Sequence, residues 1–497
     1  MPPALARSPH LALARAGIFY LGGDLSFARA HYLSSPRPRG LPPSAPLPPT
    51  EGSGLEHNWR GRWREKQLPT PSRFVRLSFQ FLKTESSFIM DLILKNVVIQ
   101  GAQSAAPKDI GIVGGEIVAI ENELNSDAEI LDIGGRLAVP GFVESHIHLD
   151  KACIMDRCVS EEGTLAEALR EVSAAKKEFT VEDIRARAVR VLEKSILQGT
   201  TRMRAHLEVD PVIGLKSIDA ILPLVKEYAW ALDLEICVFP QEGLLNNPGT
   251  DQLMVEALKR GAKVVGGCPY TDSDPRGQIE RVFEMAREFD VDVDFHLDFD
   301  VNPEGMTVSD VCELTQAYDY SGRVAIGHVS KLSALNAEEL KAVCTEMANA
   351  GVALTALPST DLYLMGSERD HNIVRGVAPL HRIKEFGVNC AVSTNNVLNP
   401  FTPYGDCSMI RMANLYANIG QIGTDAGLRD CLDMVTHAPA LLMRHDDYGI
   451  KVGNPADLVI LDCKTDISAI QELAIPLYGF KRGRRTFTRK LAKLHKP

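Results

Sequence analysis

Two histidines one residue apart, His146 and His148, close the apolar run Val139-Pro140-Gly141-Phe142-Val143-Glu144-Ser145-His146-Ile147-His148. In a β-strand alternate side chains share a face, so this pair could hold one metal ion between them. A lone pair of this kind is weak, since two surface histidines on an ordinary strand read the same way. Further polar residues fall at matching places, however. His206 ends Met203-Arg204-Ala205-His206, Gln241-Glu242 follow Phe239-Pro240, and His296 ends Val293-Asp294-Phe295-His296. His328 ends Ala325-Ile326-Gly327-His328, and Asn395 and Asn396 follow Ser393-Thr394. One buried histidine at a strand end is usually a satisfied core residue, but five in register point to a shared site. Imidazole suits zinc, iron and similar ions, and a catalytic metal needs about three protein ligands and an open position for water.

The segments that carry these residues alternate strand with helix. Strands are expected at about Ala138–His146, Thr200–His206, Asp233–Phe239, Lys263–Cys268, Asp292–His296, Arg323–His328, Val352–Leu357 and Val388–Ser393. Helical patterns occupy Leu165–Glu178, Val181–Leu197 behind Thr180 as N-cap, Asp251–Arg260, Gly277–Phe289 and Ala337–Ala350. Eight such repeats specify an α/β fold, a (β/α)8 TIM-like barrel over residues 138–445, whose catalytic groups sit at the C-terminal ends of the strands. Residues 90–137 and 446–497 have a different texture, with short strands and tight turns such as Gly114-Gly115. They are expected to form a small β-sandwich domain from both ends of the ordered chain.

The first 89 residues, rich in Pro, Arg, Ser and Ala, show no sustained period and are expected to be disordered. They read either as a transit peptide or, the preferred reading, as an extension upstream of a start at Met90, where a strand begins at once. The chain has 497 residues, 45% hydrophobic and 24% charged, which are ordinary globular values. A formal net charge of -10 argues against nucleic acid as a partner, because that affinity comes largely from neutralising phosphates. Ten cysteines without C-x-x-C spacing fit reduced thiols and a cytoplasmic location. No apolar run is long enough to span a bilayer. The expected partner is a small-molecule substrate, with homo-oligomerisation left open.

Taken together, Pro140-Gly-Phe-Val-Glu-Ser-His-Ile-His-Leu-Asp150, Arg204-Ala-His-Leu-Glu-Val209, Phe239-Pro-Gln-Glu-Gly243, His296, Gly327-His328 and Asp447-Tyr-Gly-Ile-Lys-Val-Gly-Asn-Pro-Ala-Asp-Leu-Val-Ile460 resemble the cytosine deaminase branch of the amidohydrolase superfamily. The resemblance runs from about Met90 to near the C-terminus. It implies that His146, His148 and His296 ligate one divalent ion, zinc or iron, and that His328 orients the attacking hydroxide. It also implies that Gln241 hydrogen-bonds a bound heterocycle; His206 and Asn396 are assigned to substrate contact beside it.

Two departures from the family pattern involve three positions. An aspartate ligand followed by a second aspartate is replaced by Asn395 and Asn396, and a proton-shuttling glutamate is replaced by Phe299. An amide neither accepts a proton as a carboxylate does nor adds negative charge. Asn395 is retained as a catalytic candidate, and Asp298 is proposed as the substitute shuttle. With period two, Asp298 and Asp300 would face the same side as His296 if the strand continues; the competing reading has them capping the next loop. Glu242, Asp150, Lys151 and Asp361 are weaker candidates, since a charge at a loop start is usually solvated or locally paired. The expected function is metal-dependent hydrolysis of a C–N bond in a small heterocyclic or cyclic-amide substrate by activated water. The alternatives are deamination of cytosine or a related aminopyrimidine, and a heterocycle-binding protein with impaired turnover.

Overall fold

The structure, a computed structural model, describes residues 90–102, 106–367 and 369–496. The segment Met1–Ile89, with its expected disorder, lies outside the described residues.

The first five strands are β1 (Leu92–Ile99), β2 (Lys108–Val113), β3 (Glu116–Glu121), β4 (Glu129–Asp132) and β5 (Leu137–Pro140). The barrel strands are β6 (Phe142–Ile147), β7 (Thr200–Glu208), β8 (Asp233–Phe239), β9 (Val264–Val265), β10 (Asp292–Leu297), β11 (Val324–His328), β12 (Val352–Ala356) and β13 (Cys390–Val392). The chain ends with β14 (Leu458–Leu461), β15 (Pro476–Lys481) and β16 (Arg484–Thr488).

Strands β6 to β13 form one parallel sheet in sequence order. It closes on itself where Asn395, just past β13, bridges Ile147 in β6. The seam is made by His148 N–H donating to the Asn395 carbonyl at 2.8 Å and Asn395 N–H donating to that of His146 at 3.0 Å. Helices α1 (Leu165–Ala175), α2 (Val181–Leu197), α3 (Lys216–Glu227), α4 (Thr250–Arg260), α5 (Pro275–Phe289), α6 (Val308–Ala317), α7 (Ala337–Ala350) and α8 (Pro358–Leu364) occupy the crossovers between strands. Thr180 caps α2 by accepting the Asp183 N–H, which satisfies one of the amides a helix start leaves free. The expected barrel is therefore the observed one.

The strand expected at Ala138–His146 is broken in two. Ala138, Val139 and Pro140 pair with Ile460, Val459 and Leu458 of β14, whereas Phe142 begins the barrel. Gly141 is the crossing point: its N–H goes to the Asp457 carbonyl, and a Cβ there would lie 2.2 Å from the Thr201 side chain. No side chain fits in that gap. The strands expected at Lys263–Cys268 and Val388–Ser393 shrink to Val264–Val265 and Cys390–Val392.

The second sheet has the order β16-β15-β14-β5-β1-β2-β3, with β4 also on β1. The first half of β1 pairs with β2 and β4, and its last residues pair with β5. Between the two halves Asn96 turns to a φ of 57°, so one strand serves both layers. Leu94, Val97, Ile110, Ile112 and Ile117 from one chain end pack with Leu458, Ile460 and Phe480 from the other. That shared apolar core unites the ends of the described chain in the β-sandwich expected of them.

Candidate active site

Strand β6 delivers His146 and, one residue past its end, His148; β10 delivers His296 and β11 ends on His328. The Nε2 atom of His296 lies 3.0 Å from His146 Nε2 and 3.1 Å from His148 Nε2. Three imidazole nitrogens converge on one point. His148 Nδ1 donates to the His206 carbonyl at 3.0 Å, which leaves the Nε2 lone pair facing that point. Burial, and then the neighbouring imidazoles, hold His146 and His296 well below the usual imidazole range; for His148 burial is followed by the Lys151 charge. All three are neutral donors at neutral pH, the form that binds a cation. Nearby, the Asn395 amide oxygen is buried with no hydrogen-bond partner among the described residues. A ring of neutral nitrogens beside an unpaired oxygen fits a divalent ion.

The His146 ring is held from below and beside. His206 stacks on it at 3.7 Å, with His206 Nε2 3.4 Å from Asp294 Oδ2, which in turn accepts from Arg204 Nη1 at 2.9 Å. His206 thus packs behind a candidate ligand and against a carboxylate. Gly327 lies alongside: a Cβ there would come within 2.9 Å of the His146 ring.

Gln241 sits beside this centre. Its carbonyl oxygen accepts from Lys151 Nζ at 2.8 Å and its amide nitrogen donates to Cys268 Sγ at 3.4 Å. Lys151 also donates to Glu208 Oε1 at 2.6 Å and lies 4.6 Å from the centre of the Phe401 ring. Glu208 is shared with Lys176, which also reaches Asp210 and Glu242. Burial alone would push the Glu208 carboxyl up, but Lys151 and then Lys176 hold it down at about 2. It is therefore ionised and fully engaged. This network went largely unread, although the strand carries a signal: Arg204, His206, Glu208 and Asp210 alternate with buried Ala205, Leu207 and Val209.

His328 has a hydrogen-bonded partner on each ring nitrogen: Asp361 Oδ1 is 2.7 Å from Nδ1, and Asn395 Nδ2 is 3.4 Å from Nε2. Phe299 tilts against its ring at 4.0 Å. Burial raises the Asp361 carboxyl and the His328 contact opposes that rise.

The remaining candidates have partners of their own, and for Asp298 and Asp300 the reading as loop caps or partners of a basic side chain is the one observed. Strand β10 ends at Leu297 and Asp298 takes a φ of 47°, so the alternation that would have aligned it with His296 stops there. Its carboxylate accepts from the Thr307 backbone N–H and hydroxyl, both at 3.0 Å, and so caps the loop. Asp300 is exposed and lies 3.4 Å from Lys331. Asn396 offers its amide oxygen to Asn399 at 2.7 Å rather than to open space. Asp150 accepts from the Lys151 and Glu208 amides, and Glu242 belongs to the Lys176 cluster. None of His146, His148, His296, His328, Gln241, Lys151, Asn395 and Asn396 is more than 4% exposed.

A closed β/α barrel with converging imidazoles at the C-terminal ends of its strands is the frame of a metal-dependent enzyme, and its relatives make it a hydrolase of C–N bonds. The chain belongs to the amidohydrolase family, whose model matches residues 186–486. The N-isopropylammelide isopropyl amidohydrolase of Pseudomonas sp. (strain ADP) is 27% identical over 404 residues, spanning 79% of this chain and 96% of that protein. The pterin deaminase of Rhizobium rhizogenes is 26% identical over 362 residues, covering 72% of this chain and 82% of its own. Among solved structures, the 5-methylcytosine deaminase of Klebsiella pneumoniae liganded with 5-fluorocytosine superposes with a TM-score of 0.78 at 26% identity, covering 82% of this chain and 99% of that one.

Proposed function

We propose that the protein hydrolyses a C–N bond joining a nitrogen substituent to a carbon of a small heterocycle, releasing an amine or ammonia and leaving a carbonyl on the ring. The observation that carries this reading is the convergence of the His146, His148 and His296 Nε2 atoms beside His328 and Gln241. These three histidines are proposed to hold one zinc or iron ion. Such an ion supplies Lewis acidity and lets water ionise near neutral pH. His328 Nε2 faces the centre as a hydrogen-bond acceptor for the attacking water and passes its proton on to the leaving nitrogen. Gln241 and Lys151 present an amide and an ammonium to the polar edge of the ring, and Phe239 and Phe401 flank them with apolar surface. The Asn395 oxygen is free to accept from a substrate N–H. Burial of all these groups excludes bulk water and strengthens each polar contact.

A second reading, deamination of an aminopyrimidine, is supported by the likeness to the 5-methylcytosine deaminase, and weakened by Phe299 standing against His328 where a carboxylate would serve. The proposed setting is a reducing, cytoplasmic one, in line with ten free cysteines, eight of them buried. Among the described residues no helix is long and apolar enough to cross a membrane.

Metal analysis of the full chain, with product detection on N-isopropylammelide, pterin and 5-methylcytosine, tests the proposal. One ion per chain and release of amine or ammonia are expected, with metal lost in His146→Ala. Full occupancy in that variant, or heterocycle binding by a protein that takes up no metal, would overturn it.

A further inference from the structure

Carboxylates around the centre are mostly engaged elsewhere. Asp298 holds Thr307, Asp294 holds Arg204, and Glu208 is shared by Lys151 and Lys176. Asp150 accepts from two backbone amides and from the Ser217 hydroxyl. Asn395 and Asn396 are amides. Asp361 differs from all of these: fully buried in α8, it meets the ring of His328. Its Oδ1 is 2.7 Å from His328 Nδ1, and its Oδ2 accepts the Leu357 backbone N–H at 3.1 Å. The far ring nitrogen, Nε2, receives an N–H of Asn395 at 3.4 Å. Both contacts select the same tautomer, with the proton on Nδ1 and the lone pair on Nε2.

We propose that Asp361 is a positioning residue that locks His328 in this tautomer and orientation, so that Nε2 keeps its lone pair, which accepts from Asn395 at rest and from the reacting water when that long 3.4 Å contact gives way. This rests on the hydrolase reading above. The carboxylate remains an acceptor throughout; His328 takes a proton from water at Nε2 as the new C–O bond forms and returns it to nitrogen as the C–N bond breaks. Asp361 thereby supplies, from behind the histidine, the negative charge that Asn395 and Phe299 do not.

The Leu357 N–H makes the test sharp. In Asp361→Asn the amide oxygen must stay on that N–H, which turns the amide nitrogen towards His328 Nδ1. The ring must then carry its proton on Nε2, and the acceptor is lost. Nitrogen-15 NMR of histidine-labelled, metal-stripped protein should show His328 protonated on Nδ1 in the parent and on Nε2 in Asp361→Asn. Zinc affinity, measured by chelator competition, should change by less than about threefold, while kcat falls roughly 10²–10⁴-fold with little change in KM. A parent His328 protonated on Nε2, or a parent-like kcat in Asp361→Asn, would overturn the proposal. If the parent takes up no zinc and turns over none of the compounds above, the hydrolase reading falls, and the parent's tautomer alone decides whether Asp361 locks the ring.

Discussion

Gly327 shows how little room the ring of the proposed ligand His146 leaves. Its Cβ position is 2.9 Å from His146 Cε1 and 3.1 Å from His146 Nδ1. The ring cannot yield on its other side, because His206 stacks against it at 3.7 Å. A methyl at residue 327 must therefore tilt His146 and move its Nε2 away from those of His148 and His296. Gly327→Ala should retain the fold but bind zinc about 10–100-fold more weakly, the range seen when groups supporting a ligand are disturbed. Competition with a chromophoric chelator measures this, and unchanged affinity would show that His146 has more freedom than its packing suggests.

At the scale of elements, the strand ends decide which residues face the centre. Asp298, His328 and Asn395 all have positive φ, at 47°, 68° and 63°, so the chain turns sharply just where each strand stops. Such conformations cost non-glycine residues of order 1–3 kcal/mol and cluster at functional sites. Because Asp298 caps Thr307 from this geometry, Asp298→Asn should act on the loop. A loss of about 1 kcal/mol in unfolding free energy is expected, with kcat reduced less than about tenfold and zinc affinity intact. A kcat loss of a hundredfold or more without destabilisation would restore Asp298 as a proton shuttle.

The same geometry explains what could and could not be read from the chain. Apolar runs such as Asp233–Phe239 and Val352–Ala356 announced their strands, and the histidines at the ends of β6, β10 and β11 announced the candidate centre. Period-two reasoning holds only while the backbone stays extended, so it misplaced Asp298 by assuming one step too many. Lys151 and Asp361 were legible only as weaker candidates, and Glu208 only as a charge. Their partners lie 57 and 33 residues away in the Lys151–Glu208 and His328–Asp361 pairs, and no local pattern encodes such pairings. The break at Gly141 was hidden for a similar reason, since it depends on Thr201 and Asp457.

For the whole molecule, acid should be destabilising in a way that one remote residue reports. His445 is partly buried, and its Nε2 has no hydrogen-bond partner among the described residues. Burial, and then the Arg202 charge, lower it from 6.5 to about 4. The folded state thus binds fewer protons than the unfolded chain between those values. Stability tied to His445 is fully present above pH 6.5 and is lost as pH falls through 4. His445→Gln should lose less stability than the parent between pH 7.5 and 4.5, by roughly 2–3 kcal/mol. Urea unfolding at both pH values checks this, and equal losses would remove His445 from the acid response.

The barrel's closing bond pairs also have a mechanical meaning. The first and last strands meet through the backbone of His146, His148 and Asn395, so two of the three proposed ligands are also stitches of the seam. An ion bound only by the closed form acts as a fastener, worth about 4 kcal/mol when free metal is a thousandfold above its dissociation constant. Stripping the metal should therefore loosen the cylinder along one line rather than everywhere. Amide hydrogen exchange at His148 and Asn395 should accelerate on chelation while that at Val265 and Phe295, in β9 and β10 on the opposite wall, stays slow. Uniform acceleration around the barrel would mean that the ion stabilises the fold as a whole and does not clasp its edge.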